Sequence, residues 1–278
     1  MKKIVTIQDI SCIGKCSLTV ALPVISAFGI ETAVIPTAVL STHTAFESFS
    51  FFDLTDEIEV IKEEWKKHNF KFDTIYTGYL GSEKQIETVS SFFDEIKGEN
   101  TLIFVDPAMA DHGRLYSGFE ESFSKKMVSL CKKADIISPN ITEASLMLGF
   151  EYKESGYDEQ YIKDMLTGLC KLGAKKVVIT GVSFDDEKSG VMSYNSETNE
   201  FFSYFNQKFP KTFHGTGDIF ASTCVGGITK GFSFEKALEI AVDFTVETIK
   251  ETLKEENANW YGVNFETALP YLIKRANE

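Results

Sequence analysis

Apolar positions in this chain follow two rhythms that take turns from one end to the other. Lys3 to Ile7 is a β-branched run and predicts a buried strand. Gly14 to Phe28 carries Leu18, Ala21, Leu22, Ile25 and Phe28 at helical spacing, with Gly29 as a stop and Pro23 as a kink or a shifted start. Further strands are predicted over Glu31 to Val39, Phe72 to Thr77, Thr101 to Val105, Ala134 to Ser138 and Lys175 to Thr180. Helices are predicted between them: Leu54 to Asn69, a stretch ending in Val89 to Ile96, Phe119 to Lys133, one opening after Pro139, and Tyr161 to Leu172. Gly190 to Tyr194 and Glu200 to Tyr204, joined by polar Asn195 to Asn199, predict an antiparallel hairpin. After Asp218 the residues stay small or apolar to Ile228, which predicts a buried helix; Phe234 to Lys250 and Phe265 to Ile273 predict two more. Phe46, Phe49, Phe51 and Phe52 fit no helix and predict a flap over a pocket, a subunit contact or plain core packing.

The strand–helix alternation has no Gly-, Ser- or Pro-rich linker and no repeat. It predicts a single domain over residues 1–278, a doubly wound α/β fold with a mainly parallel sheet, flanking helices and a small antiparallel edge. In such a sheet the polar residues after successive strands gather at one rim, where ligands bind. The clusters here are Asp9 with Ser11, Ser41-Thr42-His43-Thr44, Gly78-Tyr79-Leu80-Gly81-Ser82, Asp106-Pro107 with Asp111, Ser138-Pro139-Asn140 with Glu143, and Thr180-Gly181. Each also has a bland reading as a turn or a helix cap. Trp260-Tyr261-Gly262 is expected to pack against the body without chemistry.

Composition narrows the partners. A hydrophobic content of 43% supplies a core, and a formal charge of −13 argues against nucleic acid or an anionic membrane as the main partner. The start of the chain carries no secretory pattern, and no apolar run reaches the ~20 residues of a membrane span. Five cysteines make a disulfide framework unattractive and point to a reducing cytoplasm. Cys12 and Cys16 are spaced Cys-x3-Cys, but no second pair completes zinc spacing.

Candidate chemistry centres on His214-Gly215-Thr216-Gly217-Asp218. Two glycines two apart let a ligand approach the backbone, and the helix start behind them offers unpaired N–H groups to an anion. A carboxylate in that first turn can accept a proton beside a phosphate, an arrangement suited to phosphoryl transfer to a hydroxyl. The same residues can form a turn and a cap alone. Gly14-Lys15-Cys16-Ser17 is no P-loop, because Asp9 and Cys16 stand where that motif needs Gly and Ser or Thr. Phe220 in place of a third small residue argues against a dinucleotide fingerprint. Asp106 and Asp111 could hold a divalent ion or orient a substrate. Asn140 and Glu143, three apart at a helix start, suit either a hydrated Mg²⁺ or a capping box, and spacing alone favours the cap.

Along nearly its whole length the chain resembles the pyridoxal/pyridoxamine kinase branch of the ribokinase-like superfamily. The resemblance rests on Ile7-Gln8 with Gly14, Ser41-x-His43-Thr44, Thr77-Gly78-Tyr79, Asp106-Pro107 with Asp111, Ser138-Pro139-Asn140-x-x-Glu143 and Gly215-Thr216-Gly217-Asp218. It implies a ribokinase-like fold with little or no lid, and ATP-dependent phosphorylation of the 5′-hydroxymethyl group of a vitamin B6 vitamer. It implies Asp218 as general base, with the N–H groups of Gly215, Thr216 and Gly217 holding developing charge. Asn140 and Glu143 would position Mg²⁺ through water, with Asp106 and Asp111 at the phosphate end and Ser138, Thr180 and Thr216 by the nucleotide. Thr44 and Tyr79 would meet the pyridine ring, supported by His43, with Asp9 and Ser11 on the same side. A homodimer is implied, and K⁺ is left open as a further cofactor. The chain departs from the family at Asp9, where better-known members carry a Ser; a carboxylate there is expected to bias the site toward cationic substrates. A hydroxymethylpyrimidine or sugar kinase, or a binding protein without activity, are the competing readings.

Overall fold

The computed structural model describes residues 1–278. The chain order is β1 (Lys3–Ile13), α1 (Leu18–Ser26), β2 (Glu31–Thr42), β3 (Phe51–Asp53), α2 (Thr55–Lys67), β4 (Thr74–Thr77), α3 (Glu83–Ile96) and β5 (Leu102–Val105). It continues with β6 (Ala110–Asp111), β7 (Arg114–Leu115), α4 (Glu121–Cys131), β8 (Ile136–Ile137), α5 (Ile141–Leu148), α6 (Glu159–Lys171) and β9 (Lys176–Val182). The last elements are β10 (Lys188–Asn195), β11 (Glu200–Gln207), α7 (Thr216–Lys230), α8 (Phe234–Leu253) and α9 (Phe265–Arg275). Nine strands form one sheet in the order β11-β10-β9-β8-β5-β4-β1-β2-β3. The six from β9 to β2 run parallel, while β3 at one edge and β10–β11 at the other run antiparallel.

Helices cover both faces, as a parallel sheet buried on two sides requires. One apolar layer joins Ile58 of α2, Phe92 of α3, Met127 of α4, Ala144 of α5 and Leu166 of α6 to the odd-facing strand residues Val5, Ile75, Ile103 and Val177. The opposite layer joins Val24 of α1, Val225 of α7, Leu238 of α8 and Leu272 of α9 to Ile4, Tyr76, Phe104, Ile136 and Val178. From β1 the chain moves to β2 on one side, then later to β4 on the other. The sheet therefore reverses its winding between β1 and β4, and a crevice opens above their carboxyl ends.

Several boundaries differ from the sequence reading. β1 runs to Ile13 rather than ending at Ile7, because Ile10, Ser11 and Ile13 pair with Val39, Leu40 and Thr42 across an irregularity at Gln8/Ile10. Asp9, at that irregularity, and Ser11, paired with Leu40, thus lie inside a strand, where pairing of the flanking residues overrides their weak strand propensity. The helix predicted from Gly14 starts only at Leu18, since Gly14 (φ 136) and Ser17 (φ 50) leave helical space. Phe51 and Phe52 belong to β3, paired antiparallel with Val39 and Leu40. Asp111 sits in the short β6–β7 hairpin rather than in a plain turn.

Candidate active site

Strand residues two apart share a face. Phe104, Ile136 and Val178 pack toward α7, so Asp106, Ser138 and Thr180, each two positions later, point to the same side beyond the core. There they meet the start of α7. A cleft of about 830 Å³ is lined by Asp106, Asp111, Ser138, Asn140, Glu143, Thr180 and the Gly215–Asp218 turn. Four separate stretches of the sequence, Asp106 to Asp111, Ser138 to Glu143, Thr180-Gly181 and Gly215 to Asp218, meet at this one place.

The turn itself requires its first glycine. Gly215 has φ +79, and a Cβ there would lie 1.9 Å from the Lys15 carbonyl oxygen. Thr216 Oγ1 donates back to the Phe213 carbonyl at 3.1 Å. The first helical bond runs from Ile219 N–H to the Gly215 carbonyl at 3.0 Å, and the N–H groups of Gly215 to Asp218 before it meet no backbone acceptor. These are the orphan donors of a helix N-terminus, facing a cleft. Burial pushes the Asp218 carboxyl up to about 7; the charge on Asp9 adds to the rise, and the Ser17 N–H opposes it.

Asp106, at the end of β5, is 9% exposed and accepts no hydrogen bond from any side chain or backbone group nearby. Burial raises its pKa well above the ordinary value, and the charges of Glu143 and Asp218 raise it further. Glu143 is differently placed. Its Oε1 accepts from Met109 N–H at 3.0 Å and Ala110 N–H at 3.4 Å, and its Oε2 from Asn140 N–H at 2.9 Å. Asn140 Oδ1 in turn accepts from Glu143 N–H at 2.9 Å, completing a capping box, while Asn140 Nδ2 donates to the Ala110 carbonyl at 2.8 Å. Burial lifts Glu143 to about 8 against the pull of those three N–H groups.

No group of three His, Cys, Asp or Glu side chains converges as a closed metal cage. What the cleft offers is hard oxygen. Asp106 is an unpaired buried carboxylate, and Ser138 Oγ, on the same face, is buried without a partner. Such a donor set fits Mg²⁺, which keeps most of its waters and takes few protein oxygens. Glu143 and Asn140 would reach that ion only through water, their polar atoms being engaged in the cap.

The residues expected to face the substrate lie on the β1, β2 and β4 side. Asp9 is 3% exposed, and Ser11 Oγ donates to its Oδ2 at 2.9 Å. Burial raises its pKa, with the Ser17 and Ser11 hydroxyls opposing. Tyr79, half-buried, stacks on Phe119 with centroids 5.7 Å apart, and burial with the nearby Asp9 charge lifts its hydroxyl to about 12. His43 Nε2 lies 3.0 Å from the Tyr261 carbonyl and Nδ1 accepts from Ala45 N–H at 3.2 Å. A carbonyl can only accept, so the ring is the neutral Nε2–H tautomer; burial keeps its pKa low. Its ring sits 5.2 Å from that of His214, which leads into the Gly215 turn. Thr44 is exposed in the following turn and makes no hydrogen bond to join it to this group.

One feature has no local signal in the sequence. Ser17 stands before α1 where a cap is expected, yet its side chain does not cap; nothing local announces its positive φ. Trp260 and Tyr261 pack against the body as expected, forming an aromatic strap with Phe46 and His43 (Trp260–Phe46 centroids 4.6 Å). A Cβ on Gly262 would come within 2.5 Å of Lys15 Cβ, which shows how closely the strap lies on the loop under Gly215.

A model of the phosphomethylpyrimidine kinase family matches residues 22–261 of this chain. The pyridoxal kinase of Dictyostelium discoideum is 27% identical over 269 residues, covering 90% of this chain and 86% of its own length. The hydroxymethylpyrimidine/phosphomethylpyrimidine kinase of Bacillus subtilis strain 168 is 29% identical over 204 residues, covering 72% of this chain and 70% of its own. A crystal structure from Bacteroides thetaiotaomicron, provisionally named a phosphomethylpyrimidine kinase and crystallised with pyridoxal, superposes with a TM-score of 0.93. It is 40% identical and covers 98% of this chain and 95% of its own.

Proposed function

The chain belongs to the phosphomethylpyrimidine kinase family, and from that premise we propose that it transfers the γ-phosphoryl group of ATP to the 5′-hydroxymethyl group of pyridoxal, pyridoxine or pyridoxamine. One observation carries the reading: Asp218 stands beside four unpartnered N–H groups at the mouth of a cleft large enough for a nucleotide. The 40% identical Bacteroides structure, which holds pyridoxal, supports the choice of acceptor.

In this reading the substrate hydroxyl oxygen attacks the γ-phosphorus, its proton passes to Asp218, and ADP leaves. Phosphoryl transfer of this kind asks chiefly for alignment and for neutralisation of spreading negative charge. The N–H groups of Gly215, Thr216 and Gly217 serve the second need. Ser138, Thr180, Thr216 and Asp111 border the nucleotide; Asp106 and Ser138 would hold Mg²⁺, with Asn140 and Glu143 behind water. When bound, that ion neutralises phosphate charge. Tyr79, Thr44 and His43 border the ring. The active form in this reading is a cytoplasmic homodimer, a mass that light scattering after size exclusion measures directly.

A second reading, hydroxymethylpyrimidine kinase, is favoured by the Bacillus subtilis relative and the family match. A panel of the three vitamers and hydroxymethylpyrimidine, with coupled ADP detection and mass analysis of the product, decides between them. The B6 reading expects the highest kcat/KM on a vitamer. A higher value on hydroxymethylpyrimidine replaces it with the second reading, and no turnover on any of the four overturns both.

A further inference from the structure

Lys15 lies in the loop between β1 and α1, and two distant parts of the chain close on it from opposite sides. Its Nζ donates to Asn264 Oδ1 at 2.8 Å and to Glu266 Oε2 at 2.9 Å, and stands 6.0 Å from the centre of the Phe265 ring. The side chain is 18% exposed, so the ammonium is seated against the start of α9 rather than in solvent. Gly262 packs on the stem, where a Cβ would come within 2.5 Å of Lys15 Cβ. The Lys15 carbonyl is packed against Gly215, where a Cβ would lie 1.9 Å from the oxygen. One residue thus meets the strap with its side chain and the turn that opens α7 with its backbone.

Both neighbours of Lys15 are themselves held. Asn264 N–H donates to Thr252 Oγ1 at 2.7 Å, Val263 and Asn264 are buried, and the Tyr261 carbonyl accepts from His43 Nε2–H at 3.0 Å. The His43 ring also closes on the loop, since a Cβ on Gly14 would come within 2.5 Å of its Cδ2. The Thr19 hydroxyl reaches the Gly14 and Cys16 carbonyls at 3.1 and 2.8 Å, fixing the peptides on either side of Lys15. Stability alone does not call for this lysine. A cation at a helix N-terminus works against the helix dipole, and its partner Glu266 is 54% exposed, where an ion pair contributes little. What the contact fixes is position: the N–H groups of Gly215, Thr216 and Gly217 belong to a turn that rests on the Lys15 backbone.

We propose that Lys15 is a positioning residue for phosphoryl transfer: pinned by Asn264 and Glu266, it sets the place of the Gly215 turn and so the aim of its N–H groups at the transferred group. The inference rests on the kinase reading and adds to it a residue outside the lining of the cleft. Misaimed donors cost rate because the charge they meet develops in the transition state, and a shift of about 1 Å costs up to about 10²-fold.

The test measures kcat, KM for ATP and for the best acceptor, the melting temperature and amide exchange at the start of α7 in the wild type, Lys15→Met, Lys15→Arg, Glu266→Gln and Gly262→Ala. Lys15→Met keeps the stem and removes the pin. It should lower kcat about tenfold or more, with both KM values within about threefold and the melting temperature within about 3 °C of wild type. Exchange at Ile219 N–H, which donates to the Gly215 carbonyl at 3.0 Å, should quicken while the other helices keep their protection. Gly262→Ala presses on Lys15 from the strap and should give the same pattern. Lys15→Arg keeps the charge and the donors and should recover most of kcat. Glu266→Gln should lower kcat in the same direction and keeps the test open if Lys15→Met does not fold. A Lys15 that served the fold alone would lower the melting temperature and leave both kcat of the folded enzyme and exchange at Ile219 unchanged. That result overturns the proposal, as does an unchanged kcat in Lys15→Met or a change confined to KM. A wild type inactive on every acceptor would instead overturn the kinase reading, and exchange at Ile219 would still decide whether Lys15 holds the turn.

Discussion

Replacing Asp218 by Asn keeps the side-chain volume at the start of α7 and removes the group that takes the proton in the proposed reaction. Acid–base assistance contributes about 10²- to 10⁴-fold, so turnover should fall by that factor while nucleotide affinity, held by the N–H groups and the cleft walls, is retained. The structure adds a pH signature. With the carboxyl held near 7 by burial and by Asp9, about a tenth is ionised at pH 6 and about nine-tenths at pH 8. Wild-type turnover should therefore rise about tenfold across that interval, and the variant should lose this limb. Stability should move the other way. An acid whose folded pKa is raised stabilises the fold fully below its ordinary value near 3.8, and that contribution is lost as pH rises through about 7. Ionising Asp218 in the fold costs up to about 4 kcal/mol, reduced to about 2 kcal/mol by its partial solvent contact. Asp218→Asn should thus melt higher than wild type at pH 8 and close to it at pH 4. Coupled ADP release, nucleotide titration calorimetry and thermal melts at the two pH values give the three readouts. Near-normal turnover with an unchanged acidic limb would remove Asp218 from the mechanism.

Gly215→Ala meets both a positive φ and the Lys15 carbonyl at 1.9 Å; it should lose at least about 2 kcal/mol in urea unfolding and most of its turnover. A melt and a rate indistinguishable from wild type would contradict the packing described for that turn. Glu143→Ala strips the acceptor from three backbone N–H groups and should cost about 3 kcal/mol, read as a lower urea midpoint at constant slope. Arg275→Ala breaks the ion pair to Asp243 (2.8 Å, side chains 16% and 13% exposed) that also gathers Tyr204 and Asn206. It should cost about 2–3 kcal/mol without changing KM for either substrate, and an unaltered melting temperature would show the pair to be unnecessary.

Much of this protein was legible along the chain because its local periods are strong. Isoleucine- and valine-rich runs between amphipathic stretches admit little besides an α/β sandwich, and the small residues after Asp218 could only be a buried helix. The polar clusters after the strands were legible too, since strand ends in such a sheet share a rim. Other features depended on partners distant in sequence. Asn140 and Glu143 could be cap or metal site by spacing; Met109 and Ala110, more than thirty positions earlier, engage the carboxylate and show the cap is built. Asp9 and Ser11 read as a loop because their propensities are local, whereas the pairing of Ile10, Ser11 and Ile13 with β2 that carries the strand past them is not. His43 was an isolated ring until the Tyr261 carbonyl, 218 residues on, selected its tautomer. Ser17 resembles any serine before a helix, yet its backbone stands at φ 50 and its side chain leaves that helix uncapped. Periodicity is a property of neighbours along the chain, so sequence alone determined which elements exist; the partner of each buried polar atom is a property of three-dimensional closure, so only the tertiary structure decided what those residues do.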